Sequence, residues 1–206
     1  MRKLLEGVDG ERSDLEFKPP FTWGVVKPKA DEDIWCQERV IRGILGLNHH
    51  SLGGVLIVGI EEKDNHKILI KGLSTKQLQS FQDTERLRSN VDSFSSEKIN
   101  YEIGVGDWPN SSSKLVKLVV VTVEQFGHYA TLCTHNGQTD QLREGAIYVR
   151  PVKGQPRTIE VTPQEFRELQ DKATDSVQKN LEGRGWVWRA SDDTRSQRNA
   201  DLEAEA

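Results

Sequence analysis

Gly53-Gly-Val-Leu-Ile-Val-Gly-Ile-Glu-Glu62 is the stretch on which the fold turns. From Val55 to Ile60 it is apolar without alternation, the pattern of a central strand covered on both faces. Working outward, Glu11-Arg-Ser-Asp-Leu-Glu-Phe-Lys18 predicts a short upstream strand over 13–18, closed by Pro19-Pro20. Between the two, Asp31-Glu-Asp opens a helix over 31–49, its acids favouring the N-terminal end of the macrodipole. Ile34, Val40, Ile41, Ile44, Leu45 and Leu47 recur at helical spacing there, and Gly43 and Gly46 admit close packing on a sheet.

Downstream, Asp64-Asn65 marks a turn into a strand over 67–70. Ser74 is a helix N-cap, and Leu78, Phe81, Leu87 and Val91 are spaced for one surface helix over 74–91. Strands follow over 99–105 and 114–124, separated by a loop at 106–113, then over 129–134 and 146–149. Thr162-Pro163-Gln164-Glu165 is a capping box opening a last helix that runs to about Val177. This order predicts a single α+β domain over 1–177, a mixed and mostly antiparallel sheet packed with about three helices. Residues 178–206 read as a charged, mobile tail, in which Trp186 and Trp188 offer a stacking or packing surface.

At 206 residues and 35% hydrophobic, the chain can bury one core but hardly two. No apolar run reaches the roughly 20 residues of a membrane span, and the N-terminus lacks a signal-like stretch. Cys36 and Cys133 stand far apart, which does not suggest a disulfide framework, so the expected location is the cytoplasm, with the nucleus as alternative. The net charge of −4 and pI near 5.8 mean that any surface for a polyanion is a local patch.

Chemistry-bearing residues concentrate at strand ends. Glu11, Asp14, Glu16, Glu61 and Glu62 put carboxylates where a hard divalent cation such as Mg²⁺ or Mn²⁺ could be held, although solvated strand ends carry the same residues. Side chains alternate along a strand, so Glu11 and Glu16 converge only if Glu11 stands off the strand, in the turn begun by Asp9-Gly10. Lys18 shares the face of Glu16 and is placed to contact a phosphate. Arg39, Arg42, Lys71, Arg143, Arg150, Lys153 and Arg157 are the candidate phosphate contacts, and 143–157 is the best local patch, four positive charges against one negative. A solvated sheet edge guarded by charge explains that patch equally. His50, at a helix end, is a candidate acid/base or supporting group. Cys133 and His135 lack two further ligands at zinc spacing, so no zinc site is expected. Gly53-Gly54 is not a phosphate loop, since no Gly-Lys-Ser/Thr follows.

Taken in order, Glu11-x4-Glu16-Phe17-Lys18, a helix, Ser51-x-Gly53-Gly54-x4-Gly59-Ile60-Glu61-Glu62, Lys71-Gly72-Leu73 and Gly145-x-Ile147-Tyr148-Val149-Arg150 resemble the AlbA_2 (Schlafen-type) domain over about residues 6–172. The resemblance implies a metal-dependent endoribonuclease acting on structured RNA such as tRNA or rRNA. Its acidic triad maps onto Glu11, Glu16 and Glu62, with Mg²⁺ or Mn²⁺ as cofactor. DNA is an alternative partner, and a homodimer or heteromer would complete a two-lobed groove. The alternatives are a non-catalytic nucleic-acid-binding regulator and a partner-dependent subunit. Arg12, His50 and Glu62 depart from the serine, asparagine and aspartate of the family pattern.

Overall fold

The structure is a computed structural model that describes residues 11–24, 31–63, 68–127, 129–151 and 157–183. The tail expected over 178–206 falls outside the described residues beyond Gly183, as do Lys153 and the 64–65 turn.

Chain order gives β1 (Leu15–Lys18), α1 (Asp31–Asn48), β2 (Gly54–Val58), β3 (Ile60–Glu62) and β4 (Ile68–Ile70). Then come α2 (Thr75–Ser80), α3 (Thr84–Ser93), β5 (Tyr101–Pro109), β6 (Leu115–Val123), β7 (Tyr148–Val149), β8 (Ile159–Glu160) and α4 (Pro163–Gly183). The fold is α+β. Its main sheet has the order β1-β2-β6-β5, with β1 parallel to β2 and the other neighbours antiparallel, and β3-β4 and β7-β8 are separate two-stranded ribbons.

β2 is central and buried on both sides, as its unbroken apolar run requires. Leu56 and Val58 join α1 residues Val40, Ile41, Ile44, Leu45 and Leu47 in the larger core. Ile57 points the other way, into a second core with Leu15, Phe17, Ile60, Trp108 and Leu118, against which Val55, Ile68 and Ile70 pack. The strand does not run on through Ile60. Gly59 takes a φ of 109°, where a side chain is strained, and its carbonyl accepts from both Lys71 N (3.0 Å) and Gly72 N (2.9 Å). That bulge peels β3 off the sheet to pair with β4.

Further sequence expectations need correction. The single helix over 74–91 is two: Ser74 caps the first through a full capping box with Gln77, but Phe81 turns inward to meet Phe21 edge-on at 5.4 Å. Asp83 then caps the second by accepting from Arg86 N at 3.0 Å. The loop expected at 106–113 is shorter, because Trp108 is buried and carries the β5–β6 ladder on to Pro109–Leu115. Asn110 closes the turn, its side-chain oxygen accepting from Ser112 N and Lys114 N, each at 3.0 Å. The segment over 129–134 forms only an isolated bridge, Ser95 to Cys133, since its backbone bonds elsewhere, Thr131 N donating to His49. Finally, Ile159–Glu160 forms a strand on Tyr148–Val149 that no sequence pattern announced.

The capping box at Thr162 forms as its sequence predicts, Thr162 N donating to Glu165 Oε2 at 2.9 Å and Glu165 N to Thr162 Oγ1 at 3.3 Å. The helix continues past 177 to Gly183. No helix among the described residues is long and apolar enough to cross a membrane.

Candidate nucleic-acid interface

β1 is an edge strand with two functional faces. Leu15 and Phe17 enter the second core, so alternation sends Glu16 and Lys18 toward α1, where both are buried. A carboxylate and an ammonium out of water need partners. Glu16 Oε1 pairs with Lys18 Nζ. Its Oε2 accepts from Arg150 Nη1 at 2.7 Å and from Thr158 Oγ1 at 3.0 Å. Burial opposes ionisation of Glu16, but Lys18 and Arg150 outweigh it and hold the carboxyl below its ordinary range.

The helix glycines make room for this network. A Cβ on Gly43 would stand 2.8 Å from Leu56 Cδ1 and 2.9 Å from Glu16 Oε2. One on Gly46 would stand 2.5 Å from Thr158 Cγ2. Two glycines three apart thus give α1 a groove that admits the carboxylate and its threonine donor.

Arg150 serves the fold. Its side chain is wholly buried and binds the turn before β1: Nε donates to Ser13 O (3.0 Å), and Nη2 to Arg12 O (2.6 Å) and Leu15 O (2.9 Å). That turn, closed by Arg12 N to Leu15 O and Leu15 N to Arg12 O (3.1 Å each), folds Glu11 back along the strand edge. Glu11 Oε1 accepts from Phe17 N at 2.7 Å, while its Oε2 lies 3.7 Å from Arg150 Nη2. Glu11 therefore stands off the strand, the condition for meeting Glu16. Burial and the neighbouring Glu16 raise its pKa above the ordinary carboxylate value.

These groups form the floor of a cleft of about 410 Å³ lined by Glu11, Glu16 and Lys18 together with Trp35, Arg39, Arg42, Gln141 and Arg157. Successive turns of α1 supply the wall: the Arg39 guanidinium lies over Trp35, 4.3 Å from the ring centroid, and that of Arg42 over Tyr148 at 5.0 Å. Arg42 Nε is buried and has no hydrogen-bond partner among the described residues. Arg157 is exposed on the segment entering β8.

Other predicted residues lie elsewhere. Glu62 pairs in register with Ile68, on the face of the β3–β4 ribbon that also carries Ile60 and Ile70. Ile60 packs with Leu15 and Phe17, on the side away from Glu16, and Glu62 is not among the residues lining the cleft. Among the described residues no three His, Cys, Asp or Glu side chains are grouped to hold a metal ion. With both Glu16 oxygens engaged, the acids in this arrangement do not fit a three-carboxylate Mg²⁺ or Mn²⁺ centre. Lys71 pairs with Glu61, and Arg143 with Glu160, both at exposed positions. Lys153 lies outside the described residues.

His50 is buried beside Gly53, its Nδ1 2.9 Å from the Gly53 carbonyl, and burial lowers its pKa. Its neighbour His49 is a structural post. Nε2 accepts from Thr131 N (2.8 Å), which leaves Nδ1 as the donor to Tyr148 O (2.7 Å), and burial holds the pKa to about 4. Sequence reading passed over Thr158, Trp35, Gln141 and Glu38. Glu38 is buried and accepts from the Thr139 hydroxyl and from Thr139 N (3.1 Å), fixing the loop that carries Gln141. Only the helical spacing of Trp35, Arg39 and Arg42, at i, i+4 and i+7, hinted at a shared face.

No protein-family model matches the chain, and no curated protein matches it. A solved structure, the DIP2311 protein from Corynebacterium diphtheriae, is similar with a TM-score of 0.44 and 16% identity, covering 77% of this chain and 24% of that one.

Proposed function

We propose that the chain is an RNA-binding module whose cleft takes the phosphate backbone. One observation carries the reading: on a chain of net charge −4, Arg39, Arg42 and Arg157 converge on a single cleft that also presents an aromatic ring, Trp35. Guanidinium groups beside a stacking ring are the combination that holds a nucleic-acid strand, the charges on phosphate and the ring on a base. The test is RNA binding as a function of salt. Every phosphate neutralised by a guanidinium releases counterions and so adds to the salt dependence. Arg39→Gln and Arg157→Gln should therefore each lower the slope of log affinity against log salt by about 1 or less. Unchanged slopes would remove the cleft from the reading.

A second reading, endoribonucleolytic cleavage of structured RNA such as tRNA or rRNA, is favoured by Glu11. This carboxyl reaches the same cleft with a raised pKa, beside a buried ammonium, which is the setting of a group that moves a proton. Incubation of tRNA with the protein and with Glu11→Gln, with and without Mn²⁺, separates the two readings. Cleavage abolished in the variant while binding persists supports a nuclease; binding without cleavage in either leaves the binding module. Cytoplasmic residence and assembly into a homodimer or heteromer belong to the same proposal and are read by fractionation and by light scattering.

A further inference from the structure

The floor and the rim of the cleft carry different charge balances. On the floor, Lys18 and Arg150 balance Glu16 and Glu11. Around it, Arg39, Arg42 and Arg157 meet no further acid among the described lining residues. The excess is three positive charges. An internal phosphodiester brings one negative charge, whereas a terminal phosphomonoester brings about 1.5 to 2 at neutral pH, its second pKa lying near 6. Size points the same way. About 410 Å³ lies near the lower end of the 300–1,000 Å³ range of small-ligand clefts, room for about one nucleotide and far too little for a duplex. A third feature is the Arg42 guanidinium, held over the Tyr148 ring at the wall of the cleft by a contact that neutralises none of its charge. Trp35, 36% exposed at the rim, leaves ring surface for one base.

From these we infer that the cleft recognises the phosphorylated end of a single-stranded RNA, with the terminal phosphomonoester among Arg39, Arg42 and Arg157 and its base against Trp35. The inference rests on the RNA-binding reading and adds to it a preference for ends over internal backbone.

The test uses the full chain and an internally labelled ten-nucleotide RNA in three forms: 5′-phosphate, 3′-phosphate, and hydroxyl at both ends. Fluorescence anisotropy at fixed salt should show one phosphorylated form binding at least tenfold tighter than the dihydroxyl form. That advantage should shrink as pH falls through about 6, where the monoester gains its second proton. Arg157→Gln, an exposed change, and Arg39→Gln should each abolish the preference. Which end wins identifies the source of the monoester. Equal affinity of all three forms overturns end recognition and leaves RNA binding standing. Nucleoside 5′- and 3′-monophosphates provide the independent arm, read by the NMR shift of the Trp35 indole. A shift without binding of any oligonucleotide would sink the RNA reading and retain the monoester cleft; no response to either overturns both.

Discussion

Glu16 and Arg157 line the same cleft and illustrate opposite uses of charge. Around Glu16 every charge is out of water and matched: Lys18 on one oxygen, Arg150 and Thr158 on the other. At the rim, Arg157 is exposed and the Arg39 guanidinium lies over the aromatic face of Trp35. A charge buried among partners is committed to the fold, because removing any partner leaves an uncompensated ion. A charge at the rim retains its freedom to meet a ligand. The acids and bases of this chain therefore have to be sorted by burial before they are sorted by chemistry.

The comparison breaks most visibly at its buried side. Glu16→Gln leaves Lys18 and Arg150 facing a neutral amide, and urea denaturation should show a loss of about 3–5 kcal/mol. A loss under about 1 kcal/mol would mean that water reaches the network. Next in size is a pH effect. His49 has a folded pKa of about 4 against an ordinary 6.5, so the unfolded chain binds the extra proton between those values. Its contribution is complete above pH 6.5 and falls away by about 3 kcal/mol as pH drops toward 4. A stability profile that is flat over that window would contradict the neutral, doubly bonded ring. Glu16, whose folded pKa is lowered, adds a further loss below the ordinary carboxylate range.

Gly46→Ala would raise intrinsic helix propensity by about 1 kcal/mol, yet its methyl would meet Thr158 at 2.5 Å. Overpacking of this kind costs about 1–3 kcal/mol, so the variant should melt lower than wild type. A stabilised Gly46→Ala would show that the groove on α1 is not needed. On the rim, Arg157→Gln should leave the melting temperature within about 2 °C, since isolated surface changes away from special features fall within about 0.5 kcal/mol, while weakening RNA binding in filter assays. The smallest effect belongs to Arg143→Gln. Its partner Glu160 is exposed, the pair is worth less than about 1 kcal/mol, and RNA affinity should not change.

Legibility followed the same division. Repeating patterns were readable: the 3.6-residue spacing of α1, the apolar run of β2, the N-cap at Ser74 and the capping box at Thr162 are local features whose physics is complete within a few residues. The helix break at Phe81–Asp83 was not readable, since an apolar residue at helical spacing gives no sign that Phe21 will draw it inward. The candidate site was half readable. Alternation put Lys18 with Glu16, and the need for a turn before β1 put Glu11 beside them. Beyond Gly59, however, the positive-φ bulge turned the chain so that Glu62 lies on the ribbon face that also carries Ile60. Arg150 was grouped with Arg143 and Arg157 as a candidate phosphate contact, and its bonds to Glu16 and to the turn at 12–15 distinguish it as a fastening.

The sequence by itself determined the α+β class, the central strand and the position of the acids and bases along the chain, because periodicity and capping act over short separations. Tertiary structure alone decided which charges are spent on one another. That choice depends on contacts such as Glu16 with Arg150 and Thr158, made across more than 130 residues of chain. Burial, which no residue carries as a property of its own, then fixes whether a carboxylate or a guanidinium is committed to the fold or open to a ligand.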